Sequence, residues 1–306
     1  MEDMWENKGL SILFIGVRRG VGTTTLVVNI AAILGIVARR RTLLLDVSGN
    51  EVGVCDYLGI PNTGGILNLT TPFLEKGCIS SAELAKEVVR YEPGTSWPTG
   101  VSRLDVLPGF DWNQLSPAEK DRIHSYRGVY LVSAVCESAH KAGYEFILAD
   151  GGIWPKQPRG MWLGMSQRLD RIVLVSTARS DNIEADVKLP VEILSNQMKW
   201  PILLILTYAP KRRLEFAWQH KYELLLDKLD HVLVPAAEAE CLDEYAAHGI
   251  PLALHELQNA GQQRSDFTSA LVTVVFKFDP KLSAKMLDSQ GRQLRIGRGI
   301  LGSLLG

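Results

Sequence analysis

Eight consecutive residues, Arg18-Arg19-Gly20-Val21-Gly22-Thr23-Thr24-Thr25, carry the chemistry most easily read from this chain. They lie between an apolar, β-rich run, Leu10 to Gly16 (LSILFIG), and an Ala/Leu-rich run, Leu26 to Ala38, which predicts a buried helix. A strand, a glycine turn and a helix N-terminus bring several backbone N–H groups around one point, and the helix dipole favours an anion there. The expected chemistry is phosphate binding. The lysine that such loops use to reach the outer phosphates is missing, and Thr23 stands in its place. A neutral hydroxyl does not supply that charge.

The elements that must position this loop follow in a recognisable order. Thr42 to Asn50 (TLLLDVSGN) predicts a strand ending in Asp46, and Leu104 to Gly109 (LDVLPG) a short strand and turn. Tyr144 to Gly152 (YEFILADGG) predicts a strand ending at Asp150, and Arg171 to Thr177 and Pro201 to Thr207 predict two more. The stretch from His231 to Leu254 reads as a closing strand, a proline-containing loop at Pro235 and a helix. Strands alternating with helical patterns predict an α/β fold: a doubly wound, mainly parallel twisted sheet with helices on both faces. A ligand is expected at the carboxyl ends of the strands.

This order resembles the MinD/ParA family of P-loop ATPases, whose loop pattern is KGGxGKTT followed by a helix much like VVNIAAILG. The resemblance spans roughly residues 9 to 280 and implies ATP or ADP with magnesium as cofactors. It places Arg18 on the family's first lysine, Arg19 on its first glycine, Thr23 on the Walker lysine and Thr24 on the magnesium-binding threonine. It makes Asp46 the water-positioning carboxylate and puts Asp150 near the metal. Gly20, Val21, Gly22 and Thr25 complete the loop, while Thr207, where the family usually has an asparagine, and Pro235 fall on the base side.

Three departures fall on chemistry: Thr23 for the lysine, Arg19 for the first glycine, and Thr207 for the asparagine. A charge-assisted phosphate contact contributes roughly 1.5–3 kcal/mol, so losing one weakens binding by about one to two decades. Phosphoryl transfer, which depends on positioned positive charge, suffers more. The expectation is a nucleotide weakly bound or absent, and a dimeric positioning or scaffolding factor for a pilus, secretion or partition apparatus. The alternative is a slow ATPase switch in which Arg18 or Arg19 replaces the lysine, with non-specific DNA binding in partition as a further form of it. For Asp46 and Asp150 a purely structural role, capping turns at strand ends, stands beside the catalytic one.

The composition permits one generous α/β core. The chain has 306 residues, 46% hydrophobic and 22% charged, and 33 basic against 34 acidic residues give a net charge of −1. No global field draws it to nucleic acid, which is the less favoured partner. Arg39-Arg40-Arg41 and Lys211-Arg212-Arg213 are local basic candidates, also readable as ordinary element ends. Cys55, Cys78, Cys136 and Cys241 form no CxxC pair, and the six histidines no metal-binding spacing, so reduced thiols in a cytoplasmic protein are expected.

One domain over residues 1–285 and a tail over 286–306 are expected. On a helical wheel the tail's Ile296, Ile300, Leu301 and Leu304 oppose Arg292, Arg295 and Arg298. That separation suits peripheral contact with the inner face of a membrane through 292–305, or docking on the domain or a dimer partner. Two further expectations are a helix from Ser116 to about Ala142 and a helical excursion from Ser81 to Arg90. The proline- and tryptophan-rich segment 152–162 is read as a partner-binding loop, or one folded back on the core.

Overall fold

A computed structural model describes residues 9–49, 53–94, 100, 102–125, 130–153, 168–178, 184–197, 200–209, 229–237, 239–258 and 264–282. Its strands are β1 (Leu10–Gly16), β2 (Thr42–Asp46), β3 (Val89–Arg90), β4 (Leu104–Leu107), β5 (Phe146–Ile153), β6 (Arg171–Thr177), β7 (Ile202–Ala209) and β8 (Asp230–Pro235). They form one sheet in the order β3-β4-β2-β5-β1-β6-β7-β8. Every pairing is parallel except β3 with β4, an antiparallel edge. The chain leaves β1 toward β2 on one side and passes from β5 across β1 to β6 on the other. The carboxyl end of β1 is therefore the switch point where such sheets open a crevice.

The helices are α1 (Thr23–Ala32), α2 (Val54–Leu58), α3 (Gly65–Asn68), α4 (Thr70–Lys76), α5 (Ser81–Glu87), α6 (Pro117–His124), α7 (Leu131–Lys141), α8 (Leu189–Glu192), α9 (Ala239–Ala247), α10 (Leu252–Gln258) and α11 (Asp266–Phe278). They cover both faces. Because strand side chains alternate, Ile12, Phe14, Leu44 and Leu148 point to the face holding α1, α10 and α11. Leu13, Ile15, Leu43 and Ile147 point to the face holding α7. Helix α1 is buried almost all round, and beyond its three first-turn threonines its one polar residue is Asn29. Its one buried amide, Asn29, donates to Thr25 O at 2.8 Å and accepts from Ala253 N at 2.9 Å, tying α1 to the start of α10.

Local readings succeed where a cap is explicit and fail where a break is tertiary. Ser116 caps α6 with Glu119 in a reciprocal box, and Pro117 takes the first helical position, as expected. The expected single helix to Ala142 is instead two. At Ser125 the backbone turns extended (ψ 154°) and its hydroxyl donates to Arg122 O at 2.6 Å, a side-chain donor competing for a helix carbonyl where the helix ends. The helical excursion from Ser81 stops at Glu87. Val89 and Arg90 pair with Val106 and Asp105, and the Arg90 guanidinium grips the Asp105 carboxylate. Helix α1 starts three residues earlier than read and passes into a π-helical turn at Ile33–Val37.

Candidate nucleotide site

The loop joining β1 to α1 has the backbone that its glycines predict. Gly20 (φ 76°) and Gly22 (φ 85°) both lie in the left-handed region, which other residues enter only with strain. Gly22 is also the N-cap of α1. Its carbonyl accepts from Leu26 N at 2.9 Å, while no side chain caps this terminus. The first-turn N–H groups of Thr23, Thr24 and Thr25 thus gain no acceptor from a capping side chain, the arrangement that receives an anion.

These residues border a cleft of about 510 Å³. All eight loop positions, Arg18 to Thr25, line it, together with Gly49 after β2 and Gly152 and Ile153 at the end of β5. Its remaining lining, Trp112 and Asn113, was not singled out in the sequence. Their placement just after the β4 turn, at the carboxyl end of a parallel strand, was the available signal. Trp112 is itself supported: its backbone N–H donates to Gly49 O at 3.2 Å and its ring meets His124 edge-on at 4.9 Å.

At the position of the missing lysine, Thr23 is buried, with its hydroxyl close against Gly16. Arg18 and Arg19 are both exposed at the rim. The Arg18 guanidinium stands 3.9 Å from the Asp186 carboxylate, with its side chain 49% exposed. That distance and exposure make it a weak, solvent-screened pairing.

Beneath the cleft lie the two carboxylates. Asp46 ends β2 and is in register with Asp150 on β5, the neighbouring strand. Asp150 Oδ2 accepts from the Thr24 hydroxyl at 2.6 Å and Oδ1 from Gly152 N at 2.9 Å. Asp46 accepts from Ser48 N (3.1 Å), Ser48 Oγ (2.8 Å) and Val54 N (3.0 Å). Burial, and then the neighbouring Asp46 charge, raise the Asp150 pKa to about 6. Burial likewise raises that of Asp46, against the hydrogen bonds that lower it. Two buried acids in register on adjoining strands are costly unless a proton or a cation offsets their charge.

On the other flank of the loop a smaller cavity, about 60 Å³, is lined by Val21, Gly22 and Thr25 together with Thr207, Tyr208 and Pro235. Thr207 and Pro235 are thus brought beside the loop as expected. The Thr207 hydroxyl reaches Val21 O at 2.9 Å and Ser176 O at 3.0 Å. Tyr208, missed in the sequence, has a left-handed backbone (φ 55°), and its hydroxyl donates to Gly20 O at 3.3 Å.

In the basic run at 39–41, Arg40 and Arg41 have structural partners. Arg40 pairs with Glu145 and Asp279, each at 2.9 Å, and Arg41 donates to Ala142 O at 2.5 Å and lies 4.7 Å over the Tyr144 ring. The four cysteines are free thiols. Lys211–Arg213, most of the segment 152–162, and the tail with its 292–305 face lie outside the described residues. Among the described residues, no helix is long and apolar enough to cross a membrane.

A parallel sheet with a glycine loop at its switch point, feeding a helix N-terminus and flanked by carboxylates on the adjoining strands, defines a P-loop NTPase fold of the MinD/ParA type. Solved structures agree. A ParA family ATPase from Chlorobium tepidum TLS superposes with a TM-score of 0.65 at 15% identity, covering 89% of this chain and 99% of that one. The Aquifex aeolicus MinC:MinD cell division complex gives 0.62 at 18% identity over 88% and 95%. The septum site-determining protein MinD complexed with Mg-ADP from Pyrococcus horikoshii OT3 gives 0.58 at 18% over 91% and 98%. No protein-family model matches the sequence, and no curated protein does.

Proposed function

We propose that this chain is a MinD/ParA-like protein with a degenerate nucleotide site, acting as a dimeric positioning or scaffolding factor for a larger cellular assembly. The observation that carries the reading is Thr23. The loop, the helix terminus and the acids on the adjoining strands are those of a nucleotide-binding fold, yet the position that should supply the fixed cation holds a buried hydroxyl. The two rim arginines are exposed, and Arg18 is directed toward Asp186.

The donors present suit magnesium with a phosphate ligand. Thr24 and Asp150 offer oxygen atoms side by side, and among the described residues no three His, Cys, Asp or Glu side chains converge. Magnesium takes few protein ligands and completes its shell with water and phosphate oxygens. When bound, it would spread positive charge over the phosphate oxygens. The chain's own part is then to hold phosphate on the loop N–H groups and to keep Asp46 beside the cleft. Without a fixed lysine the same loop holds nucleotide loosely and turns it over slowly or not at all.

A second reading, a slow ATPase switch, is favoured by one observation: Arg18 and Arg19 both border the 510 Å³ cleft. Guanidinium is planar and differently aimed than ammonium, so it replaces lysine imperfectly. Steady-state turnover separates the two. The scaffold reading expects magnesium-dependent ATP hydrolysis no higher than that of Asp46→Ala; a rate that this substitution abolishes establishes the switch instead. Membrane contact through 292–305 is a further property that the scaffold would use, and non-specific DNA binding, the less favoured one, goes with the switch. Vesicle sedimentation of the full chain, with and without 292–305, tests the first, and duplex retardation at low salt the second.

A further inference from the structure

We infer that the site, if it binds nucleotide as proposed above, takes nucleoside triphosphates without regard to the base, because Tyr208 offers a stacking face where, among the described residues, most of the lining side chains carry no group that reads the base edge. The larger cleft and the smaller cavity share Val21, Gly22 and Thr25, so a ligand with its phosphates in the first directs its organic end to the second. That second cavity, about 60 Å³, has Tyr208 in its lining, so the base is placed beside that ring.

What it meets there, apart from the Thr25, Thr207 and Tyr208 hydroxyls, is apolar. Among the described residues lining this cavity, Pro235 has no N–H, and Ala236, Ala237, Leu242 and Phe267 carry no polar side-chain atom. Thr207 is buried, and its hydroxyl hydrogen is directed at the carbonyls of Val21 and Ser176, so it does not donate to a base. Tyr208 differs from all of these. It is 39% exposed, one of the two large hydrophobics so exposed among the described residues, and it bridges from β7 to Gly20 of the phosphate loop. A non-glycine residue held at φ 55° is the sort of strained position that persists at ligand clamps. Every base has a π-face, so stacking on a tyrosine adds affinity without choosing among bases.

Calorimetric titration of the full chain tests this with ATP, GTP, CTP, UTP and inorganic tripolyphosphate, each with magnesium. The four nucleotides are expected to bind within about threefold of one another and each at least about fivefold tighter than tripolyphosphate. Tyr208→Ala should erase that advantage and leave tripolyphosphate binding unchanged, whereas Tyr208→Phe, which loses only the hydroxyl, should keep it. One nucleotide binding more than about tenfold tighter than the others overturns the inference, as does tripolyphosphate matching all four while the phosphate cleft itself stands. If tripolyphosphate and nucleotides all fail to bind, the cleft reading falls and this one with it.

Discussion

The Thr24 hydroxyl and the Asp150 carboxylate, 126 residues apart, are joined by a 2.6 Å hydrogen bond that ties the first turn of α1 to β5. Asp150 also lies in register with Asp46, so one contact connects the loop, both acids and the two strands that carry them. Loop geometry and acid placement are consequently one structural unit.

Thr24→Val keeps the shape of the side chain and removes the donor. The buried Asp150 oxygen then lacks its partner, at a cost of about 1–3 kcal/mol. Urea denaturation should show that loss with an unchanged m-value. A stability equal to wild type would mean that the bond contributes nothing to the fold.

The acids predict a pH dependence of definite sign. Asp150 has its pKa raised from 3.8 to about 6 in the folded protein, so between roughly pH 4 and 6 the native state holds a proton that the unfolded state has released. Stability contributed by this group is full below about pH 4, falls as pH rises through that window, and is level above it. Asp150→Asn should flatten the slope across pH 4–6 and stabilise the nucleotide-free protein at pH 7. A wild-type stability that climbs through this window by the same amount as in Asp150→Asn contradicts the assignment.

Gly109 follows β4 and packs directly on Asp46. A Cβ there would come within 2.6 Å of Asp46 O and 2.7 Å of its carboxyl carbon. Gly109→Ala should cost about 1–3 kcal/mol by overpacking, because the obstructing atoms belong to backbone and a buried carboxylate. Thermal melts would register this as a lowered Tm, and an unshifted Tm would show that Asp46 is free to move aside.

Sequence legibility followed the range of the forces involved. The apolar strands, the glycine loop and Asp46 at a strand end were readable because each is announced by its immediate neighbours, whereas β5 runs on past Asp150 to Ile153. The edge strand β3 was not. Val89 and Arg90 become a strand through pairing with β4 and the grip of Arg90 on Asp105, 15 residues away. Arg40 read equally well as a surface charge, since its partners Glu145 and Asp279 are 105 and 239 residues distant. Trp112 joined the cleft, and Tyr208 the smaller cavity, only through topology, which brings the ends of β4 and β7 to the same side as the loop.

Arg18 offers a test of the dimer. Its pairing with Asp186 is long and half exposed, so Arg18→Ala should change stability by no more than about 0.5 kcal/mol. If the side chain instead reaches across a dimer face, the substitution should weaken self-association in sedimentation equilibrium while the melt stays unchanged. Unaltered self-association would remove Arg18 from the interface.

The most direct measurement restores the missing charge. Magnesium-ATP titrated by calorimetry into the wild-type protein and into Thr23→Lys should show binding about one to two decades tighter in the variant, the worth of one charge-assisted phosphate contact. Wild-type protein that binds magnesium-ATP as tightly as Thr23→Lys would contradict the claim that the loop has lost its productive cation.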